Sequence, residues 1–471
     1  MPGGGSAAEP VALGTARGRW LVAVTVLASG MAFLDATAVN VALPAIGEEL
    51  GSSLSGLQWT ITGYTLALAA LILLGGALGD RYGRRRVFLV GVGWFAVASL
   101  LCGLAQSTEQ LVAARVVQGV GGALLTPGSL SLIQASFRPG DRARAIGTWS
   151  ALAGVAGLVG PVLGGLLVDA GSWRLVFLLN VPVAVVVLVV GGRHVPESRD
   201  PGRHGRFDVL GAVLGAVGLG ALTYALIGAA DRPAGADVLA AAGAGALAAV
   251  AFVVRERRTP DPMLPPRLFA DRQFTGANLT TFAVYGGLGG STLFLVLQLQ
   301  TVLGYDATSA GAAMLPTIAV ITLLSSQAGA LATRIGPRLP MTVGPLLVAA
   351  GTAWLATVDG GEPYALDVLP GSLLQGLGMA ATVAPLTATV LAAAPDALTG
   401  VASGVNNAVA RAAQLLAVAA LPVAVGLSGA GYADPVILAT GYRTAMLVCA
   451  ALFALGGLLA WATVRDGVLR A

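Results

Sequence analysis

Asp35 lies inside a long apolar run and, by the spans drawn below, is the only acidic residue well inside one. A lone carboxylate in hydrocarbon is costly and marks a working group. Burial favours its neutral form, and a nearby cation favours its charged form. A carboxylate under both influences can load and lose a proton. Two cations, Arg115 and Arg411, lie inside apolar runs of their own. A guanidinium stays charged, so each must pair or face water. Arg115 beside Asp35 would oppose the effect of burial and poise the carboxylate between its two states. A structural alternative stays open: Asp35 bonded to neighbours such as Thr37 or Asn40, with Arg115 as a clamp. Other chemistry is poorly supplied. The chain has no GxxxxGK[ST] loop and no lysine, which leaves ATP hydrolysis unsupported. His194 and His204 share one polar linker and are too few for a metal site. Cys102 and Cys449 sit in apolar runs and read as packing thiols. The expectation is no metal, no catalytic residue and no cofactor, with the proton as coupling ion.

The elements that position these groups follow from composition. Of 471 residues, 56% are apolar and 11% charged, and the mean hydropathy is +0.82. Soluble domains carry about 25% charged residues. Soluble enzymes, nucleic-acid-binding proteins and disulfide scaffolds are therefore excluded, and the chain reads as an all-α membrane protein. Runs of about 20 apolar residues recur fourteen times between residues 20 and 463, each too long for a barrel strand. With both termini cytoplasmic, 22 of the 27 arginines fall on the cytoplasmic side, three outside and two within spans. The expected organisation is a cytoplasmic tail (1–19), a six-helix bundle (20–192), linkers carrying an extra helix pair (193–273), a second six-helix bundle (274–463) and a cytoplasmic tail (464–471).

An internal repeat supports two bundles. GALGDRYG at 76–83 answers GALATRIG at 329–336, with five of eight positions matching at an offset of 253. Leu50-Gly51 answers Leu303-Gly304 at the same offset, and Gln118-Gly119 answers Gln375-Gly376. Parallel repeats about an axis along the membrane normal are a transporter plan, with the substrate site between the halves. Helices 1, 2, 4 and 5 and their copies would then face a cavity. The candidate lining residues are Tyr64, Gln118, Trp149, Asn278, Tyr285, Gln375, Asn406, Asn407 and Arg411; aromatics with amides suit amphipathic compounds. Trp20, Trp59, Trp173 and Trp461 sit at span ends and read as interfacial anchors.

LDATAVNVALP at 34–44, GALGDRYGRRR at 76–86, LVAARVVQGVGGALLTP at 111–127 and the residues Gly147, Gly160, Pro161, Gly164 and Gly165 fall in order on helices 1, 2–3, 4 and 5. On these motifs the chain resembles the major facilitator superfamily, and within it the 14-helix drug:proton antiporter family of the EmrB/QacA type. The resemblance spans nearly the whole chain. Ala156, with Gly157 beside it, departs from the helix-5 pattern, and Gln414 and Val418 depart from the glycines that usually follow Arg411.

The resemblance implies a major facilitator fold and proton-coupled export of drug-like or antibiotic molecules. It implies a proton-coupling role for Asp35 with Arg115. It implies a cytoplasmic charged latch at Asp80, Arg81, Gly83, Arg84 and Arg85, and a hinge or seal at the helix-5 glycines that favours export over import. Thr333 replaces Asp80 in the second copy, so only the first latch should be charge-switchable. The expected partners are a small lipophilic or amphipathic substrate and membrane lipid, with no nucleic acid, and the chain is expected to act as a monomer. The alternatives are a transporter of a specific metabolite, such as an amino acid or siderophore, and a non-transport membrane scaffold. Substrate charge stays open: neutral or monocationic lipophiles fit, and so do anions near Arg115 and Arg411.

Overall fold

The computed structural model describes residues 11–198, 208–260, 262–395, 398–427 and 434–466. The start of the N-terminal tail, part of the first linker with His204, and the end of the C-terminal tail lie outside the described residues. The first half holds α1 (Ala16–Leu50), α2 (Leu54–Tyr82), α3 (Arg84–Gly103), α4 (Thr108–Ser136), α5 (Pro139–Asp169), α6 (Arg174–Leu178) and α7 (Asn180–His194). The pair α8 (Val209–Asp231) and α9 (Ala236–Arg258) follows. The second half holds α10 (Arg272–Leu297), α11 (Ala307–Ala313), α12 (Leu315–Ile335), α13 (Arg338–Leu355), α14 (Tyr364–Asp367), α15 (Leu369–Ala392), α16 (Thr399–Ala424) and α17 (Pro435–Thr463). In α6–α7 and α11–α12 one long apolar helix is broken at Leu179 and Met314.

Among the described residues, twelve helices are long and apolar enough to cross a membrane. There are thirteen if α2, bent by 49° between Leu54–Ile72 and Leu74–Tyr82, counts as one. α13, of 18 residues, stands at the expected eleventh position and is not among these. Short polar side chains begin many of the helices. Thr15, Ser53, Ser107, Asp208, Asp271 and Asp434 each accept a backbone N–H of the first turn, which relieves donors that have no partner inside the helix. Asp306 does the same for α11, and the Ser309 amide holds its carboxyl below the usual range.

Within each half the helices pack pairwise: α1 on α5 and α2 on α4 in the first, α10 on α17 and α13 on α15 in the second. The pair α8–α9 packs outside, with α8 touching α2 of one half and α16 of the other. The halves meet mainly at the arginine-poor end. There Gly165 of α5 lies against the backbone of Ala307 and Thr308, and Gly311 of α11 lies against the Pro161 carbonyl. A Cβ at either glycine would collide with main chain. Asp169 accepts from the Thr308 amide (2.8 Å) and hydroxyl (2.5 Å). Gln58 donates to the Val418 carbonyl (2.6 Å), and Gln300 donates to that of Val41 (2.9 Å). Close helix approach through small residues is how membrane helices gain contact without a hydrophobic drive.

Two expectations change. Trp173 is an anchor of a different kind: it is fully buried and donates to Glu49 (2.7 Å), beside the Glu49–Arg174 ion pair. The departure at Ala156 is compensated, because its methyl faces Gly30 of α1, while Gly147 and Gly157 have nothing close to them.

Gly165→Val tests the seal. Overpacking of this kind costs about 1–3 kcal/mol. The purified variant should melt several degrees below wild type with unchanged helical circular dichroism. An unchanged melting temperature would mean that α5 and α11 do not meet there.

Candidate functional site

A cavity of about 1340 Å³ lies between the halves. It runs from Asn40, Pro161 and Met314 to Asp80, Asp208 and Met263 at the arginine-rich end, where the halves stand apart. Its walls come from α1, α2, α4 and α5 on one side and α10, α12, α15 and α16 on the other. Tyr64, Trp149, Tyr285, Gln375, Asn406, Asn407 and Arg411 line it, as expected of them. Two candidates do not. Gln118 is turned away into a buried cluster, and Asn278 stands behind the wall, accepting from Asn406 at 3.3 Å. Neither could be separated from the lining residues by sequence, since both share a helix with a cavity residue.

The cluster that takes Gln118 is built around Asp35, whose side chain has no exposed surface. Its Oδ2 receives the Arg115 guanidinium at 2.6 Å. Its Oδ1 receives the Gln118 amide at 2.9 Å and the Asn180 amide at 3.2 Å. Gln118 and Asn180 also both donate to Ser99 (2.7 and 3.3 Å). Arg115 spends its Nε on the Thr60 carbonyl (3.0 Å) and also reaches the Gln118 carbonyl oxygen (2.5 Å). Its guanidinium lies over the Tyr64 ring, 4.3 Å from the centroid. Five helices, α1, α2, α3, α4 and α7, thus converge on one carboxylate. Thr37 and Asn40 do not touch it; each bonds a carbonyl of its own helix.

Every partner of Asp35 is a donor, so this arrangement satisfies the ionised carboxylate. Only Arg115 of the three donors carries a charge, and only Arg115 also lines the cavity. Protonation would remove the charge that holds Arg115 to α1, so the pair can link charge to helix position. Ser99 and Asn180 were missed by sequence because amides and hydroxyls recur throughout the spans with no spacing of their own.

Among the described residues the second half shows no such pair. At the repeat offset Asp35 corresponds to Leu288, a cavity-wall residue. Arg411, on α16, is the cation there.

At the arginine-rich end Asp80 pairs with Arg84 (2.9 Å), and both Asp80 and Arg81 border the cavity mouth. The N-terminus of α3 is capped from elsewhere: Glu197, following α7, accepts from the Arg85 and Arg86 amides (3.1 and 3.2 Å). Arg85 also donates to the Val195 carbonyl (3.1 Å). Gly83 needs its glycine twice over, with φ at 111° and Glu197 where a Cβ would stand. The second half repeats this device. Gly336 has φ of 95°, and Asp466, following α17, occupies the Cβ position and accepts from the Arg338 amide (3.1 Å). Thr333 donates to the Ala330 carbonyl of its own helix (2.8 Å) and, among the described residues, to no other group. The repeat thus keeps an acid at each half, on a segment remote in sequence from the motif.

Comparison with known proteins agrees with this geometry. The family model for the Major Facilitator Superfamily matches residues 25–418. The chain is 37% identical to the puromycin resistance protein of Streptomyces alboniger, over 95% of this chain and 91% of that one. It is 36% identical to the methylenomycin A resistance protein of Bacillus subtilis, over 93% and 92%. It is also 36% identical to the tetracenomycin C resistance and export protein of Streptomyces glaucescens, over 83% and 73%. Among solved structures, the fold matches a bacterial homolog of the human lysosomal transporter Spinster (TM-score 0.67, 18% identity, 95% and 96% coverage). It also matches a peptide transporter (TM-score 0.65, 14% identity, 95% and 96% coverage).

A double-mutant cycle tests the cluster. Removing one partner of a buried ion pair costs about 3–5 kcal/mol, because it strands the other charge. Asp35→Asn and Arg115→Gln should each lower stability by that order, and the double variant should lose much less than their sum. Additive losses would mean that the two charges do not depend on each other.

Proposed function

The chain belongs to the Major Facilitator Superfamily, and from that premise we propose that it is a proton-coupled antiporter exporting antibiotic-like small molecules by alternating access. It is a transporter and not an enzyme. The observation that carries the coupling is the buried Asp35–Arg115 pair at the edge of the cavity. The class of cargo is supported by relatives more than 30% identical that carry the names of puromycin, tetracenomycin C and methylenomycin A resistance.

The finer organisation belongs to the same proposal. The arginine-rich end is cytoplasmic, by the bias of basic residues toward that side, and places both termini inside. α13 is the fourteenth span, which makes the chain a member of the 14-helix EmrB/QacA type and leaves α8–α9 as an added pair beside the interface. The structure is then the inward-open state: sealed outside by α5 on α11, open inside between Asp80 and Met263. Substrate enters from the cytoplasm or inner leaflet. Asp35 is held here by donors alone; rocking to the outward-open state would expose the pair to external protons, and protonation would release Arg115. Asp80 with Arg84 sits at the closing cytoplasmic edge, where a latch belongs. The working unit is one chain in lipid, and the proton is the only coupling species invoked.

Inverted membrane vesicles test this reading, with radiolabelled puromycin as probe. The vesicles should accumulate puromycin when their interior is acidic, and a protonophore should abolish the accumulation. Accumulation that ignores the pH gradient and follows ATP would contradict the proposal.

A further inference from the structure

Five charged side chains line the cavity: Asp80, Arg81, Arg115, Asp208 and Arg411. Four are engaged. Arg115 holds Asp35, Asp80 holds Arg84, Asp208 holds Arg255 (3.2 Å), and Arg81 has a partner too. Arg411 is different: among the described residues it makes no ion pair and no hydrogen bond. It stands midway along α16 and lines the cavity together with Tyr64 of the first half and Tyr285 of its own. Asp35, inside α1, has no exposed surface, is not a lining residue and is already committed to Arg115. The accessible middle of the cavity therefore carries one uncompensated positive charge.

The walls around it are largely apolar, with Phe33, Leu288, Leu295, Met314 and Ile318 among them. A guanidinium left without a counter-ion in such surroundings is costly unless an anion or water attends it. Its planar fork matches a carboxylate in two parallel hydrogen bonds. Asn407, one turn before Arg411, gives its amide N–H to the Ser403 carbonyl at 3.0 Å, so it does not supply a negative partner.

We infer that this transporter takes amphipathic substrates carrying an acidic group, a carboxylate or an equivalent monoanion, with the anion seated on Arg411 and the apolar body against the cavity wall. The inference rests on the export reading above and adds the substrate class to it. It also separates the two charges of the mechanism: the proton site lies in the first half at Asp35, and the anion site in the second at Arg411. A substrate held in this way does not compete with the proton for one carboxylate.

The test uses the purified full chain and two probes with the same body, 4-(pyren-1-yl)butyrate and its methyl ester. Binding is read from pyrene fluorescence. Wild type should prefer the acid over the ester by about 10- to 100-fold, the range for a hydrogen-bonded charge pair. Arg411→Gln should erase that preference while leaving ester affinity within about twofold, and Arg411→Lys should keep part of it. Equal affinities for acid and ester in wild type would overturn the inference without any variant. So would an Arg411→Gln variant that retains the preference, or that loses acid and ester alike. Puromycin accumulation in vesicles keeps the two readings apart. If it is gradient-driven while acid and ester bind equally, export stands and the anion site falls. If neither puromycin nor the pyrene acid accumulates under a gradient, the export reading itself fails.

Discussion

The contact between Asp35 and Arg115 is the constraint around which the first half is arranged. A carboxylate with no exposed surface cannot remain ionised inside a bilayer unless its charge and lone pairs are met. Meeting them draws α2, α3, α4 and α7 onto α1, through Thr60, Ser99, Gln118 and Asn180. The same cluster puts Arg115 and Tyr64 at the cavity wall, so the one buried acid of the bundle communicates with the cavity only through its cation. Arg115, which makes that link, is bonded to α1 through Asp35 and to α2 through the Thr60 carbonyl.

The two halves share a scaffold and differ in charge. Both turn from the second helix to the third through a glycine with positive φ, and both cap the third helix with an acid arriving from the end of the sixth, Glu197 in one and Asp466 in the other. These features serve folding and survive in both copies. The Asp35–Arg115 pair does not: Leu288 stands at the corresponding position, and the second half offers Arg411 to the cavity in place of a compensated pair. A duplicated fold has thus diverged in charge, with a buried ion pair on one side and, among the described residues, a cation without an ion-pair partner on the other. The glycine seal between α5 and α11 lets the halves touch at one end while the cavity stays open at the other.

Much of this was legible in the sequence because the bilayer imposes strong rules. Few charges, long apolar runs and the arginine bias led to a helical membrane protein, and the repeat at residues 76–83 and 329–336 led to two similar halves. Asp35 and Arg115 stood out because a charge inside an apolar run has no neutral explanation. The partners of Asp35 were not legible. Gln118 was placed on the wall when it faces the acid, since helix period alone does not say which of two polar faces meets the cavity. Asn180, Ser99, Glu197 and Asp466 act across tens to more than a hundred residues of chain, and no local pattern marks them. Trp173 was misjudged for a related reason: a tryptophan at a span end suits the interface unless an acid such as Glu49 lies within reach to draw it inside.

In the proposed mechanism Asp35 is the group that ties substrate movement to the proton. The most direct measurement compares wild type with Asp35→Asn in proteoliposomes, in two modes. One is accumulation driven by a pH gradient; the other is exchange of labelled for unlabelled substrate without a gradient, which needs no net proton movement. The account predicts that Asp35→Asn retains exchange and loses gradient-driven accumulation. Accumulation at the wild-type rate in the variant would contradict it, because the proton would then be travelling by another group.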